Sequence, residues 1–519
     1  MCAVGFRLAG VPRLAYSGIF RARAFPEGAA VRIVGADTIR SGRGATAFAD
    51  TGMEPFASDT PLSTAAFKVV RRLAGAGHQA LLAGGCVRDA LLSRPLKDID
   101  IATSALPEQV EALFAGETYA VGRAFGVIVV KQDGYVFEVA TFRSDGEYRD
   151  GRHPASIRYA DAAADARRRD FTINGLFFDP ASREVLDFVG GREDLGNRLV
   201  RAIGDPEARF AEDRLRMLRM IRFAAVLEFA IDPATARAAA SCADGLRQVS
   251  AERIAQEFTR MLVESPRPSV ALEWLDRLGL LRQFLPEVAT LRGVPQPPEF
   301  HPEGDVWTHT LMMLDRMPSD RDARLAYGVL LHDIGKAQTT CVRKDRQGQA
   351  VIRSPNHVAV GAVIAHDILI RLKQPATLRD AVEALVRRHM TFSELPRMRP
   401  ATLRRFLGAP TFPLDLALHR LDCSCSSGDL SLLRFAEAKL GEYAAEPVLP
   451  KPWILGRDLL AIGMAPGPDV GRWVARAYDY QLDGRLVSRQ ALLAHILREW
   501  KDGVTPERLE TPPDAAGTP

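Results

Sequence analysis

Strand-like patterning in this sequence is confined to its first 190 residues. Short apolar runs bounded by glycine, proline or charge occur at QALLAGG, KDIDIAT, FGVIVVKQ, YVFEVATF, LFFDP and EVLDFV, with the length and β-branched content of strands. A short amphipathic helix, AAFKVVRRLAGAG after Thr64, comes first and is ended by glycine. From Pro206 the character changes. ARFAEDRLRMLRMIRFAAVLEF spaces its apolar residues as a helix does, and such patterns dominate to about Trp500. The pattern predicts an α+β protein with a small mixed head and a long helical body.

At 519 residues the chain is too long for one core, and two to four domains are expected. Breaks fall at PQPPEFHP (residues 295–302) and at residues 447–452, and residues beyond 501 have a disordered composition. The first fifty residues carry Arg7, Arg13, Arg21, Arg23, Arg32, Arg40 and Arg43 with few acids. That is the composition of an organelle transit peptide, of a disordered leader, or of a reading frame begun too early, with Met53 as the true start. No uninterrupted apolar run of about 18 residues occurs, which argues against a membrane span. Six cysteines without paired zinc-finger spacing, and no secretory signal, point to reduced thiols in a cytoplasmic protein. A net charge of +4 permits a polyanionic partner without requiring one. No oligomeric state is assigned.

Within LLAGGCVRDALLSRPLKDIDIAT (residues 81–103), Asp98 and Asp100 flank Ile99. In an extended strand that spacing sends both carboxylates to one face, where they repel unless a cation lies between them. Magnesium suits such a pair, since it takes few carboxylates and completes its shell with water and substrate phosphates. Glu138 in YVFEVATF is the candidate third carboxylate. Gly84 and Gly85 would let backbone approach a triphosphate, with Arg88 neutralising its charge. Cys86 reads as packing.

AGGCVRDALLSRPLKDIDIAT resembles the first motif of the class II nucleotidyltransferases, the group containing CCA-adding tRNA nucleotidyltransferases and bacterial poly(A) polymerases. Further motifs follow in order. FRSDGEYRDGRHP (residues 142–154) is similar to the flexible segment connected with the switch from C to A addition. RRDFTINGL resembles the second motif, in which Arg168, Asp170 and Asn174 handle ribose and phosphate. DFVGGREDL resembles the third. EDRLRMLRMIRFAA resembles the fourth, in which Asp213 and Arg216 would read the incoming base from one helix face, and SAERIAQEF (residues 250–258) the fifth, which braces the neck helix. An arginine offers a fork of donors and an aspartate an acceptor, so this pair can meet the edge of cytosine or adenine.

In the body, GVLLHDIGKAQTT places His332 and Asp333 together, with His309 upstream and His357, His389 and Asp422 downstream. Imidazoles with carboxylates suit a divalent transition metal that activates water. The series resembles the HD phosphohydrolase domain, with His309, His332, Asp333 and Asp422 matching its core ligands and His357 and His389 extending the set toward two metals. His366 and His419 are read as packed or solvated. Cys423 and Cys425 give only a weak metal signal. RMRPATLRR (residues 397–405) is a candidate contact for RNA phosphates.

The resemblance implies a polymerase-beta-like nucleotidyltransferase head at 61–205 and a helical neck and RNA-binding domain at 206–294. It also implies an HD metal-binding domain at 295–446 and a C-terminal helical segment at 447–500, flanked by the leader (1–60) and tail (501–519). The expected activity is addition of C, C and A from CTP and ATP to the tRNA 3′ end with release of pyrophosphate, with phosphohydrolase action at the HD site. Narrower relatives that add only CC, only A or a poly(A) tail are the alternatives. From other classes come an RNA or nucleotide phosphohydrolase with a non-catalytic RNA-binding head, and a nucleotide-sensing HD protein.

Overall fold

The computed structural model describes Phe56, Arg123 and residues 60–119, 126–145, 157–443 and 447–505. Residues 1–55, where the leader and the Met53 start were expected, most of the segment 142–154, and the tail beyond 505 lie outside the described residues.

Helix α1 (Pro61–Gly75) is opened by Thr60, whose hydroxyl accepts from the Ser63 amide at 3.1 Å, with proline at the first turn. The head continues through β1 (Ala80–Ala83), α2 (Gly85–Leu91), β2 (Asp100–Thr103), α3 (Pro107–Leu113), β3 (Thr118–Tyr119), β4 (Val127–Gln132) and β5 (Tyr135–Thr141). A small hairpin of β6 (Arg143–Asp145) and β7 (Ile157–Tyr159) leads to α4 (Ala162–Arg167), then β8 (Leu176–Asp179) and β9 (Glu184–Asp187). Seven strands form one sheet in the order β3–β4–β5–β2–β1–β8–β9. Its pairs are antiparallel except β2 with β5.

All six anticipated strand regions form strands. β3, β6 and β7 were not anticipated, being two or three residues long and too short to show alternation. Strands also occur beyond residue 190, against the expectation: Leu199–Val200 pairs with Ala230–Ile231, and Cys341–Lys344 with Ala350–Arg353. One sheet face packs Leu82, Ile101, Phe137 and Val139 against Ala66, Val69 and Leu73 of α1. The other buries Leu81, Ala83, Ala102 and Phe177 under Ala162 and Ala166 of α4.

After α5 (Gly191–Gly196) the chain is almost wholly helical. Helix α6 (Pro206–Glu212) is followed by α7 (Arg216–Leu227), in which every residue except Arg219 is buried. A helix covered all round is a central beam. It packs on α9 (Ala251–Glu264), which follows α8 (Pro233–Ser241). One apolar cluster runs from Phe56 to Cys425, and a separate one gathers Ile454, Leu459, Trp473, Leu492 and Ile496. Among the described residues no helix is long and apolar enough to cross a membrane.

Candidate active site and metal centre

Strand β2 begins at Asp100 because its partner β1 ends opposite it, at Ala83, where the chain turns into Gly84. Asp98 therefore precedes the strand, contrary to the expectation that both aspartates lie within it. The alternation survives, with Asp98 and Asp100 exposed on either side of buried Ile99. In the parallel β2–β5 pair Ile101 faces Val139, which brings Asp100 beside exposed Glu138. Asp100 is open to solvent, yet the protein mass around it disfavours its charged form. That desolvation, then Asp98 and Glu138, push its pKa up to about 6, against a downward pull from Arg169. A carboxylate whose ionisation is opposed by two neighbouring acids suits a divalent cation.

Gly84 lies at φ +77°, and a Cβ there would stand 2.6 Å from Arg169 Nη1. At Gly85 a Cβ would meet only Arg88 Nη2, at an ordinary 3.7 Å. Close approach therefore demands only the first glycine. Gly84→Ala is expected to lower stability by about 1–3 kcal/mol through backbone strain and to displace Arg169. Thermal melting with nucleotide titration checks this, and Gly85→Ala should leave nucleotide affinity within about twofold.

Arg169 is the residue that sequence reasoning missed. Its Nε and Nη2 donate to Asp165 Oδ2 at 3.2 and 3.0 Å, its Nη1 donates to the Asn174 carbonyl at 3.3 Å, and it alone of the RRR run acts on Asp100. The i,i+4 spacing from Asp165 was its signal. Arg168 donates from Nε to Asp165 Oδ1 at 2.8 Å. Arg88 is buried and committed: Nε and Nη2 donate to Asp89 at 2.9 Å, and Nη1 donates to Asn174 Oδ1 at 2.5 Å. In this structure it holds the site in place. Asn174 Nδ2 donates to Asp170 Oδ1 at 3.0 Å, and Asp170 Oδ2 accepts from Arg219 of α7 at 2.7 Å. Burial raises the Asp170 pKa, but Arg219, then Asn174, outweigh it and hold the carboxyl well below its usual range.

Asp213 and Arg216 do not share a helix face, which corrects the expectation. Asp213 is extended (φ −145°, ψ 106°) at the break between α6 and α7, and Arg216 opens α7. The break frees Asp213 to accept from Arg253 of α9 at 2.8 Å. Arg216 pairs with Glu212 at 2.6 Å and donates to the Arg168 carbonyl at 3.2 Å, which ties it to the segment bearing Asp170 and Asn174.

In the body, His309 on helix Val306–Asp315, His332 and Asp333 after helix Ala323–Leu331, His357 opening helix His357–Arg371, His389 after helix Ala376–Arg388, and Asp422 on helix Phe412–Cys425 converge. Ligand atoms of His309, His332 and Asp422 lie within 4.8 Å of one another, as do those of Asp333, His357 and His389. Among the described residues, the head acids do not form so tight a set.

The tautomers follow from the hydrogen bonds. Nδ1 of His332, His357 and His389 lies 2.9, 2.9 and 2.8 Å from the carbonyls of Val329, Ser354 and Val386, each three residues back. His309 Nδ1 lies 2.5 Å from Glu303 Oε1. Carbonyls and carboxylates only accept, so each Nδ1 donates and every Nε2 is left with a bare lone pair. The Nε2 atoms of His357 and His389 are 3.3 Å apart. Those of His309 and His332 are buried without a hydrogen-bond partner, although Asp422 Oδ1 lies 3.1 Å from the first and Asp333 Oδ2 3.2 Å from the second. The contact is close but not aligned. Lone pairs facing one another and carboxylates in this way fit a metal cation.

Charge agrees with that fit. Despite burial, which opposes the shift, Asp422 and then Asp333 and Glu303 push the His309 pKa up. Asp333 is held far below its usual range by Lys336, whose ammonium is 2.6 Å away, and by His332, again against burial. His366 pairs with Glu383 at 3.0 Å and His419 stacks on Phe392 at 4.0 Å, as read from the sequence. Burial, then Asp100, push the Cys86 thiol up to about 12.

Comparison with known proteins follows this division of labour. Residues 80–201 match the poly A polymerase head domain, 228–291 a model described as a probable RNA- and SrmB-binding site of polymerase A, and 305–422 the HD domain. A CCA-adding enzyme of Geobacillus sp. (strain WCH70) is 43% identical over 216 residues, 41% of this chain and 53% of that protein. One from Enterococcus faecalis (strain ATCC 700802 / V583) is 38% identical over 253 residues, 48% and 62% of the two chains. The match thus spans about half the length of the curated relatives. The crystal structure of Bacillus stearothermophilus CCA-adding enzyme in complex with CTP superimposes with a TM-score of 0.66 at 25% identity, over 86% of this chain and 99% of that one. A poly A polymerase head domain, an RNA-binding segment and an HD domain thus follow one another in that order along this chain, and the relatives and solved structure it is similar to are CCA-adding enzymes.

Proposed function

We propose that this chain adds C, C and A, from CTP and ATP, to the 3′ end of tRNA with release of pyrophosphate. The observation that carries the reading is the acid cluster of Asp98, Asp100 and Glu138, set beside Gly84 and Arg169 in a head whose relatives are CCA-adding enzymes. The 3′-hydroxyl oxygen of the terminal ribose bonds to the α-phosphorus, the bond from that phosphorus to the β-phosphate oxygen breaks, and the hydroxyl proton passes to the acid cluster. Asp98 and Asp100, assisted by Glu138, would hold magnesium, which polarises the phosphate and offsets the leaving charge. Gly84 leaves room for Arg169, which offers the triphosphate positive charge. Arg168, Asp170 and Asn174 shape the ribose and phosphate subsite from below. Asp213 and Arg216 read the base across the α6–α7 break, exchanging Arg253 and Glu212 for its edge.

A second reading concerns the HD cluster alone. The four bare Nε2 atoms and two carboxylates support a divalent transition metal there and hydrolysis of a phosphate ester.

The test is extension of three tRNA transcripts, ending at the discriminator base, in C and in CC, with magnesium and CTP, ATP or both. Products ending in CCA and stopping there are expected. CC-only, A-only or long A products would replace the reading with a narrower relative. No extension would remove it and leave the HD site.

A further inference from the structure

Three of the four clustered histidines take their tautomer from the main chain, through a carbonyl three residues back. His309 differs. Its Nδ1 meets a side chain, Glu303 Oε1, at 2.5 Å. Glu303 comes from the turn ahead of helix Val306–Asp315, and the same oxygen lies 2.9 Å from His301 Nδ1. His309 is wholly buried, the Glu303 side chain is 5% exposed, and Glu303 Oε2 is buried with no hydrogen-bond partner. The two histidine rings meet edge to face at 4.9 Å, so His301 closes the far side of the carboxylate. A carboxylate on the outer nitrogen of an imidazole fixes ring and tautomer and raises the basicity of the inner nitrogen.

We propose that Glu303, buttressed by His301, is the positioning residue of the HD metal centre: it holds His309 with Nε2 turned to the cation shared with His332 and Asp422. The inference rests on the reading that this cluster takes a metal. Such outer partners typically carry about 10–100-fold in metal affinity. Glu303, His301 and His309 could also hold an ion of their own. That arrangement would require His309 to turn its Nδ1 lone pair outward, which the positioning role forbids.

The experiment titrates the full chain, stripped of metal, with Co2+, reading the visible absorption and the dissociation constant. Glu303→Ala is expected to weaken binding about 100-fold at unchanged stoichiometry. Glu303→Gln, which keeps an acceptor but loses the charge, should weaken it about 10-fold. Asp422→Ala, a direct ligand, is expected to alter the spectrum itself. Apo melting temperatures of the Glu303 variants within two degrees of the parent would separate positioning from folding. Equal affinity in parent and Glu303→Ala would overturn the role. So would loss of one equivalent of cobalt, which would assign Glu303 to an ion of its own. No cobalt bound by the parent would instead remove the metal reading beneath it.

Discussion

Asp100→Ala is expected to lower single-turnover incorporation of both CMP and AMP by about a thousandfold or more, the scale on which one fixed electrostatic partner of a transition state acts. The carboxylate stands at the start of β2, beside Glu138 on β5 and near Asp98. Strand pairing on both sides of β2 holds it there. The same variant should not lose stability. Burial, Asp98 and Glu138 raise the Asp100 pKa to about 6, so its ionised form is disfavoured by the fold. An acid with a raised folded pKa stabilises most below the unfolded value of 3.8, and that contribution is lost as pH rises toward 6. Without magnesium, the variant should therefore melt at or above the parent temperature at pH 8 and converge with it below pH 4. Addition persisting within tenfold of the parent would remove Asp100 from the reaction. A large loss of stability would assign it to the fold instead.

The head was legible because its signals are local. Asp98, Asp100 and the double glycine sit in one short stretch, and alternation about Ile99 needs no tertiary knowledge. What stayed hidden depends on partners remote in sequence. Arg88 reads as a phosphate ligand until Asn174, 86 residues away, is seen to occupy it. Arg168 and Arg169 both bind Asp165, at i,i+3 and i,i+4, and only the folded head shows that Arg169 is the one that acts on Asp100. Asp213 and Arg216 look like neighbours on a helix, but a break after Glu212 gives each a different partner. The candidate ligands of the HD cluster were visible as residue types in order. Glu303 carries no such mark, since its role comes from a turn folding back on His309.

Glu257→Ala is expected to have the largest effect on stability. Arg222 on α7 and Glu257 on α9 meet at 2.5 Å, with side chains only 5% and 7% exposed. Removing one member of a buried pair leaves the other charge without water or counter-ion and costs about 3–5 kcal/mol. Among the described residues Arg222 pairs with no second carboxylate, and its guanidinium lies 4.2 Å from the centroid of the Phe223 ring, which is shared with Arg88 at 5.0 Å and Arg219 at 5.3 Å. Arg219 in turn joins Glu257, at 3.7 Å, to Asp170, at 2.7 Å. The loss therefore falls where α7 grips the head segment that carries Asp170. Amide exchange in α7 and α9 should accelerate by about 10²–10⁴-fold, which is that cost expressed as a rate of local opening. The apparent KM for CTP should rise, while cobalt binding at the HD centre stays unchanged. Glu257→Gln keeps one acceptor for Arg222 and should recover part of the protection. Exchange within threefold of the parent would mean that hydrophobic packing alone holds α7, and that the Arg222–Glu257 pair merely accompanies it.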